Sequence, residues 1–245
     1  MNSNSQGNFL LDYFIRNTKR PIYKWLDYFE VYHRLFDRYR ERELKFLEIG
    51  VQNGGSTHMW QDYFGPKAKI IGLDIDPQCK QLEKDGFEIW TGDQTDPKFW
   101  RGFKQKHSKL DIILDDGGHT MEQQITTFRE LFPLLADGGL FVCEDTHSSY
   151  FPTHGGGLGR QGTFHEFVKH LIDDMHAWYH SPLSQMDQQY FAKNVYSISV
   201  YDSIISIEKR AKNPPQIFTR AYDGDPNKPI LRTWLDFRRD HGVPD

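Results

Sequence analysis

Short apolar runs alternate with amphipathic segments through the middle of the chain. Each run has the length and the apolar content of a buried strand. The runs are Leu44–Ile49, Ala68–Leu73, Phe87–Thr91, Leu110–Leu114 and Gly139–Cys143. Strands that alternate with helices in this way pair in parallel and are covered by helices on both faces. The pattern therefore predicts an α/β fold built on a doubly wound parallel sheet of at least five strands.

Helical periodicity is clearest at two places. Between the last two of these strands, Met121–Leu135 has the pattern of a helix, and the glycines at Gly138 and Gly139 are expected to close it in a left-handed conformation. Residues 1–43 are expected to form a helical cap in front of the first strand. Apolar side chains recur there at spacings of three and four, which we interpret as core packing: Leu26, Phe29, Tyr32, Leu35, Phe36 and Tyr39.

The C-terminal part of the chain predicts a hairpin followed by a tail. Two β-rich runs, 195–200 and 203–207, are joined by a short polar connection that suits an antiparallel hairpin. Such a hairpin closes the predicted sheet domain, which extends over residues 44–210. Residues 211–245 contain several prolines and are predicted to be an irregular tail that packs on the domain or on a neighbouring subunit.

Composition excludes several classes of protein. The 245 residues carry 30 Lys and Arg against 34 Asp and Glu, without a long basic run, which argues against a nucleic-acid groove. The two cysteines, Cys79 and Cys143, do not make a disulfide framework, which fits a reducing compartment. Residues 1–7 are polar, and no apolar run approaches the roughly 20 residues of a membrane span. A cytoplasmic protein without a membrane span is therefore expected.

A glycine turn after the first strand indicates a cofactor site. The segment Glu48–Ser56 has the spacing Glu-x-Gly-x-x-x-Gly, whereas dinucleotide sites more often show Gly-x-Gly-x-x-Gly, so a ligand without a pyrophosphate is favoured. Asp74 ends the second strand, where an acid can accept both ribose hydroxyls, and Asp93-Gln94 ends the third. Each acid could instead cap a helix. The residues expected to bind an adenosine-containing cofactor are Glu48, Gly50, Gly54, Ser56, Asp74, Asp93, Gln94 and Asp115.

Acidic residues also follow two buried strands that should end at the same edge of the sheet. Asp116 comes after the fourth strand, and Glu144 and Asp145 come after the fifth. Three carboxylates at one edge offer the hard oxygen ligands that Mg²⁺ prefers, and His119 is close enough in sequence to move a proton. Alternatively, some of these acids could cap helices or meet lysines. His119 could likewise be a metal ligand or a structural histidine.

These segments together resemble the class I S-adenosylmethionine-dependent methyltransferases, over roughly Leu44 to Arg210. The more specific set is similar to the metal-dependent sugar O-methyltransferases of macrolide biosynthesis, and to bacterial proteins often described as cephalosporin-hydroxylase-like. It comprises Glu48–Ser56, Asp115–His119 and Glu144–Tyr150. The resemblance implies a Rossmann-like, seven-stranded class I methyltransferase sheet with a terminal β-hairpin. It also implies S-adenosyl-L-methionine as methyl donor.

For the reaction, the resemblance implies that a methyl group moves to a hydroxyl of a sugar or of a glycosylated natural product. Asp116, Glu144 and Asp145 would hold Mg²⁺ or another divalent cation, and His119 would be the general base. Candidate contacts to this small-molecule or glycan acceptor are His147, Tyr150 and Arg160. The glycine-rich segment 154–160 is either a lid or a surface connection. The resemblance and the tail also suggest a homo-oligomer.

Three other functions stay open at this point. A catechol-type acceptor would chelate the same cation through neighbouring oxygens. A non-catalytic adenosine-binding scaffold would share the fold, although the acidic strand ends and His119 argue against it. A nicotinamide oxidoreductase is disfavoured by the glycine spacing. A hydroxylase is unsupported, because no site of two histidines and one carboxylate is evident.

Overall fold

The computed structural model describes residues 8–182, 184, 189–220 and 229–244. Its main sheet contains β1 (Leu44–Ile49), β2 (Ala68–Asp74), β3 (Glu88–Thr91), β4 (Leu110–Asp115), β5 (Leu135–Cys143), β6 (Val195–Val200) and β7 (Ile205–Lys209). The strand order is β3-β2-β1-β4-β5-β7-β6. Strands β1 to β5 pair in parallel, whereas β7 runs antiparallel to both β5 and β6. The predicted doubly wound, seven-stranded sheet with its terminal hairpin is confirmed.

Helices cover both faces of this sheet. They are α1 (Phe9–Arg16), α2 (Tyr28–Phe36), α3 (Gly55–Phe64), α4 (Pro97–Lys106), α5 (Met121–Leu131) and α6 (Phe164–Met175). The helices α1, α2 and α3 contribute to one apolar cluster, and α4, α5 and α6 contribute to the cluster on the opposite face. Phe29, Tyr32 and Phe36 of α2 are buried in the first cluster, as the periodicity predicts. Leu26 is exposed because it precedes the helix.

The register of the parallel strands brings their carboxyl ends to one edge. Ile49 at the end of β1 is paired with Leu73 and with Asp115, and Asp115 is paired with Cys143. The backbone continues this pairing beyond the strands, since Asp116 N donates to Ile49 O at 3.0 Å. The residues that follow β1, β2, β4 and β5 therefore meet at the same edge, where ligands of open α/β sheets bind.

The sequence predicts a helix over Met121–Leu135, and the predicted C-terminal end at Leu135 is wrong. Helix α5 ends at Leu131, and a short 3₁₀ turn over Phe132–Leu134 leads directly into β5. Pro133 explains the early end, because proline lacks the N–H that would continue the helix and its ring clashes with the preceding turn. Gly138 does have a left-handed backbone, with φ +80°, but it lies inside β5 and does not close the helix.

The prediction of an irregular tail also needs correction. Within the described part of the tail, Ile217–Arg220 and Pro229–Arg232 pair as an antiparallel two-stranded sheet, and Trp234–His241 forms a helix. The side chains of Thr233 and Asp236 cap this helix reciprocally. A capping box of this kind satisfies two backbone donors that would otherwise lack partners. Among the described residues, no helix is long and apolar enough to cross a membrane.

Candidate active site

A cleft of about 150 Å³ opens where the parallel strands end. We call it the strand-end cleft, and the predicted cofactor residues that line it are Gly50, Asp74, Asp93 and Gln94. Its lining also includes Gln52 and Gln123, which the sequence analysis did not identify, and Asp116 at its edge. The strand-end cleft therefore collects residues from the ends of four strands.

The turn between β1 and α3 approaches its neighbours too closely for most side chains. Gly50 has φ +88°, and a Cβ at this position would clash with the carbonyl oxygen of Asp116. Gln52 also has a left-handed backbone, with φ +43°, which is unusual for a residue other than glycine. Its N–H donates to Asp74 Oδ2 at 2.8 Å. The turn is thus fixed against the end of β2.

Asp74 is oriented by the backbone on both sides of its carboxylate. While Oδ2 accepts from Gln52, Oδ1 accepts from the N–H of Asp76 at 2.9 Å. The side chain is nearly buried but lines the strand-end cleft. Each carboxylate oxygen can accept a further hydrogen bond, so the pair of oxygens is preorganised for two neighbouring hydroxyls.

Four of the predicted cofactor residues do not line the strand-end cleft: Glu48, Gly54, Ser56 and Asp115. Glu48 is fully buried, and it accepts hydrogen bonds from Thr57 Oγ1 at 2.6 Å and Trp60 Nε1 at 2.9 Å. Burial raises the pKa of Glu48. This side chain therefore connects β1 to α3. The motif correctly places Glu48 near the end of β1, but it does not specify the direction in which the side chain points.

Asp115 lies beneath the strand-end cleft. Its Oδ1 accepts from Gln94 Nε2 at 3.1 Å, which holds the amide of Gln94 at the cleft lining. Its Oδ2 is buried without a hydrogen-bond partner among the described residues. Burial raises the pKa of Asp115 to about 7. Asp115 is therefore placed to support Gln94 from below.

Asp116, His119 and Asp145 come together beside the strand-end cleft. His119 Nε2 lies 3.8 Å from Asp116 Oδ1 and 3.5 Å from Asp145 Oδ2. One donor atom from each residue can be chosen so that all three lie within 4.8 Å of one another, close enough to hold a metal ion. His119 and Asp145 have left-handed backbones, with φ +58° and +51°. Such strain is typical of functional sites.

The protonation of His119 follows from its surroundings. Burial lowers the pKa of His119, although the neighbouring carboxylates of Asp116 and Asp145 act in the opposite direction. A neutral imidazole has one nitrogen with a free lone pair, which can accept a proton. His119 is therefore suited to act as a base near neutral pH.

Glu144 lies deeper, and a lysine that the sequence analysis did not identify faces it. Lys24 has a side chain only 2% exposed, and its Nζ forms ion pairs with Asp116 Oδ2 and, at 2.8 Å, with Glu144 Oε2. Burial alone would lower the pKa of Lys24, but the charges of Asp116 and Glu144 outweigh burial and raise it. The other oxygen of Glu144, Oε1, is buried without a partner among the described residues.

Tyr28, also from the N-terminal part of the chain, holds the third acid. Its hydroxyl donates to Asp145 Oδ1 at 2.6 Å and lies 2.7 Å from Ser203 Oγ. Neither Lys24 nor Tyr28 belongs to a recognisable motif. The sequence allows the possibility that the acids form ion pairs with lysines. It does not indicate which lysine, because Lys24 and Asp116 are more than 90 residues apart in the chain.

The three acceptor candidates separate in space. His147 lines a cleft of about 290 Å³ together with Tyr28 and Ser203. Tyr150 lines a different cleft of about 260 Å³, which we call the outer cleft and which also contains Leu158. Arg160 lines neither, and it donates to the carbonyl of Gly156 at 3.3 Å. Of the three, only His147 shares a cleft with a residue that contacts the acids.

Comparisons with known proteins agree with this geometry. The family model described as "Methyltransferase domain" matches residues 47–146. The chain is 34% identical over 205 residues to mycinamicin VI 2''-O-methyltransferase of Micromonospora griseorubida. The aligned region covers 77% of this chain and 50% of the relative. It is 33% identical over 193 residues to L-olivosyl-oleandolide 3-O-methyltransferase of Streptomyces antibioticus, covering 74% and 49%. The chain thus spans about half the length of the curated relatives it matches.

Solved structures give the same family. MycE methyltransferase from the mycinamycin biosynthetic pathway, in complex with Mg and SAH, matches with a TM-score of 0.74 and 31% identity, over 82% of this chain and 54% of that one. The complex of MycE with Mg, SAH and mycinamycin VI matches with a TM-score of 0.74 and 30% identity, over 84% and 55%. The family model identifies residues 47–146 as a methyltransferase domain, and the fold of the chain is that of the class I S-adenosylmethionine-dependent methyltransferases.

Proposed function

We propose that the chain transfers a methyl group from S-adenosyl-L-methionine to a hydroxyl of a sugar or of a glycosylated small molecule, with the help of a divalent cation. The observation that carries this proposal is the position of Asp116. Asp116 lines the strand-end cleft, and its carboxylate also contacts His119 and Lys24. A cofactor in the cleft would therefore adjoin the acids that prepare the acceptor.

The strand-end cleft fits the donor. Gly50 leaves room for close approach of a ligand, and the two oxygens of Asp74 suit the ribose hydroxyls. Asp93 can accept a hydrogen bond from the adenine amino group, and Gln94 can do so through Oε1, because its Nε2 already donates to Asp115 and Thr127. Asp115 acts on this site through Gln94. When bound, S-adenosyl-L-methionine supplies a methyl group that its sulfonium already activates. MycE, the relative solved with SAH, has the same fold at 31% identity, which supports this assignment.

The acids beside the strand-end cleft, Asp116, Glu144 and Asp145, are the ligands proposed for a divalent cation. Among the described residues, the donor atoms that already lie within 4.8 Å of one another belong to Asp116, His119 and Asp145, and Glu144 is outside this set. Asp116, Glu144 and Asp145 provide hard oxygen ligands, and Glu144 Oε1 is a buried oxygen that lacks a partner among the described residues. The ion pairs of Lys24 with Asp116 and Glu144 show that these acids attract positive charge. A cation held by all three acids would replace the contacts of Lys24 with Asp116 and Glu144. When bound, it would stabilise negative charge on an acceptor oxygen.

His119 is the proposed general base. The acceptor hydroxyl is protonated at neutral pH and must lose its proton as the methyl group arrives. Neutral His119 can accept that proton, and the carboxylates of Asp116 and Asp145, at 3.8 and 3.5 Å, can stabilise the resulting imidazolium.

The experiment follows labelled methyl transfer from S-adenosyl-L-methionine. The purified chain is incubated with methyl glycosides or with catechol, in the presence of Mg²⁺ or of a chelator. We expect label on a glycoside, loss of transfer with the chelator, and recovery when Mg²⁺ is restored. Transfer to catechol but to no glycoside would show that the acceptor is an aromatic diol and not a sugar. Transfer that is insensitive to the chelator would contradict the role of the cation.

A further inference from the structure

A second cleft is connected to the acids through Tyr28, whose hydroxyl donates to Asp145. We call it the aromatic cleft, and it is lined by Trp25, Asp27, Tyr28, His147, Phe151, Asp202 and Ser203. We propose that the aromatic cleft binds the sugar ring of the acceptor and presents its hydroxyl to Asp145 and His119. This inference rests on the proposed function, because it identifies where the acceptor of that reaction is bound.

Each of the two clefts is connected to the acids. Asp116 is part of the lining of the strand-end cleft. Tyr28 and Ser203 line the aromatic cleft, and the Tyr28 hydroxyl is hydrogen-bonded to Asp145. His119 Nε2 lies between Asp116 and Asp145. A donor in the first cleft and an acceptor in the second would thus meet at these side chains, which is the proximity that methyl transfer requires.

The walls of the aromatic cleft suit the apolar face of a pyranose. Trp25 is 59% exposed and Phe151 is 44% exposed. The ring of His147 lies between them, with its centroid 6.0 Å from that of Trp25 and 5.3 Å from that of Phe151. Small-molecule sites combine aromatic walls with a few polar groups, as this cleft does.

The rim of the aromatic cleft favours a sugar over a catechol. Asp27 and Asp202 both line the cleft and are exposed. Asp27 precedes α2 without making a side-chain cap, and neither carboxylate is hydrogen-bonded to another described residue. Ionised carboxylates only accept hydrogen bonds, so these two can accept from the hydroxyls of a ligand. A pyranose carries hydroxyls around its edge, whereas a catechol has only the two that would face the cation.

The backbone gives independent support for this location. Ser203 in the wall of the aromatic cleft has φ +64°, a left-handed conformation that it shares with Asp145 and His119. Its side chain contacts both Tyr28 and His147. Strained residues persist where the surrounding contacts over-determine them, and they cluster at ligand sites. The strain therefore extends from the acids into the wall of the aromatic cleft.

The test measures binding of methyl α-L-rhamnopyranoside by titration in NMR, with SAH and Mg²⁺ present at saturation. The full chain is compared with Trp25→Ala and Phe151→Leu, which lie on different segments, so that a folding defect in one variant leaves the other informative. Leu158→Ala is the matched control, because Leu158 is an exposed apolar residue of the outer cleft. Binding of SAH to every variant is measured first by calorimetry.

We expect the dissociation constant of the glycoside to rise about tenfold in each aromatic variant, roughly the loss of one good aromatic contact, and to stay unchanged in Leu158→Ala. SAH should bind all variants alike. Unchanged glycoside binding in both aromatic variants, loss of binding only in Leu158→Ala, or a chain that binds SAH but no glycoside would each overturn the inference. Failure of the unmodified chain to bind SAH would instead overturn the proposed function.

Discussion

Lys24 Nζ lies 2.8 Å from Glu144 Oε2, although 120 residues separate the two in the sequence. Both side chains are almost completely buried, and the same ammonium group also meets Asp116. A buried ion pair forms only when the attraction compensates for the loss of hydration. The segment before α2 therefore completes a charged group whose other members all follow strands of the sheet.

Replacing Lys24 with methionine should strengthen the binding of a divalent cation. Methionine keeps much of the side-chain length but removes the positive charge that competes for Asp116 and Glu144. We expect the dissociation constant for Mn²⁺, measured by electron paramagnetic resonance, to fall at least about tenfold. Without metal, the variant should be less stable by about 3–5 kcal/mol, because the buried carboxylate of Glu144 and the partly exposed carboxylate of Asp116 lose their partner.

Lys169→Met is the control for this variant, since Lys169 forms an exposed ion pair with Glu166. Such surface pairs contribute roughly 0–1 kcal/mol, so its melting temperature and Mn²⁺ affinity should stay close to those of the unmodified chain. Weaker Mn²⁺ binding by Lys24→Met would contradict the exchange of Lys24 for the cation.

Removal of the imidazole of His119 should separate chemistry from donor binding. Because His119 does not line the strand-end cleft, His119→Ala should bind SAH with nearly unchanged affinity. Methyl transfer should fall by about 10²–10⁴-fold, the usual contribution of a general base. His165→Ala is the control, since His165 is also half-buried with a lowered pKa but lines the outer cleft. Wild-type transfer rates in His119→Ala would exclude the base role.

Asp115 should make the stability of the fold depend on pH. Burial raises the pKa of Asp115 to about 7 from its ordinary value of 3.8, so the folded chain keeps a proton that the unfolded chain has lost. This contribution to stability is fully present below the unfolded pKa and is lost as pH rises to about 7. Its upper limit is about 4 kcal/mol.

Asp115→Asn removes this titration and keeps a similar shape. The melting temperature of the variant minus that of the unmodified chain should therefore increase between pH 4 and pH 7, and then level off. Scanning calorimetry with a chelator in both samples measures this difference. A difference that is constant over the whole range would show that Asp115 does not take up the proton.

Gly50 tests the close approach of the glycine turn to β4. In Gly50→Ala, the added methyl group would clash with the backbone of Asp116, so we expect a lower melting temperature and loss of SAH binding. Gly86→Ala is the matched control, because Gly86 has φ +92° but no atom within 4 Å of an added Cβ. That variant should lose only about 1–2 kcal/mol of stability and keep its SAH affinity. Normal SAH binding by Gly50→Ala would contradict the tight turn.

Much of the fold could be predicted because each strand is a short apolar run, and the ends of parallel strands meet by topology. Gly50 and Asp74 can be placed at the strand ends in the same way, and both line the strand-end cleft. Lys24 and Tyr28 could not be found in this way, because their contacts with the acids depend on how the N-terminal segment packs. Glu48 was misplaced because a motif gives position along a strand and not the direction of a buried side chain.

The central claim is that the strand-end cleft binds S-adenosyl-L-methionine, and calorimetric titration with SAH tests it most directly. The metal-stripped chain is titrated with and without Mg²⁺, beside Asp74→Ala, which lacks both acceptor oxygens proposed for the ribose. We predict saturable, micromolar binding by the unmodified chain and binding at least about tenfold weaker in the variant. No binding by the unmodified chain under either condition would contradict the account.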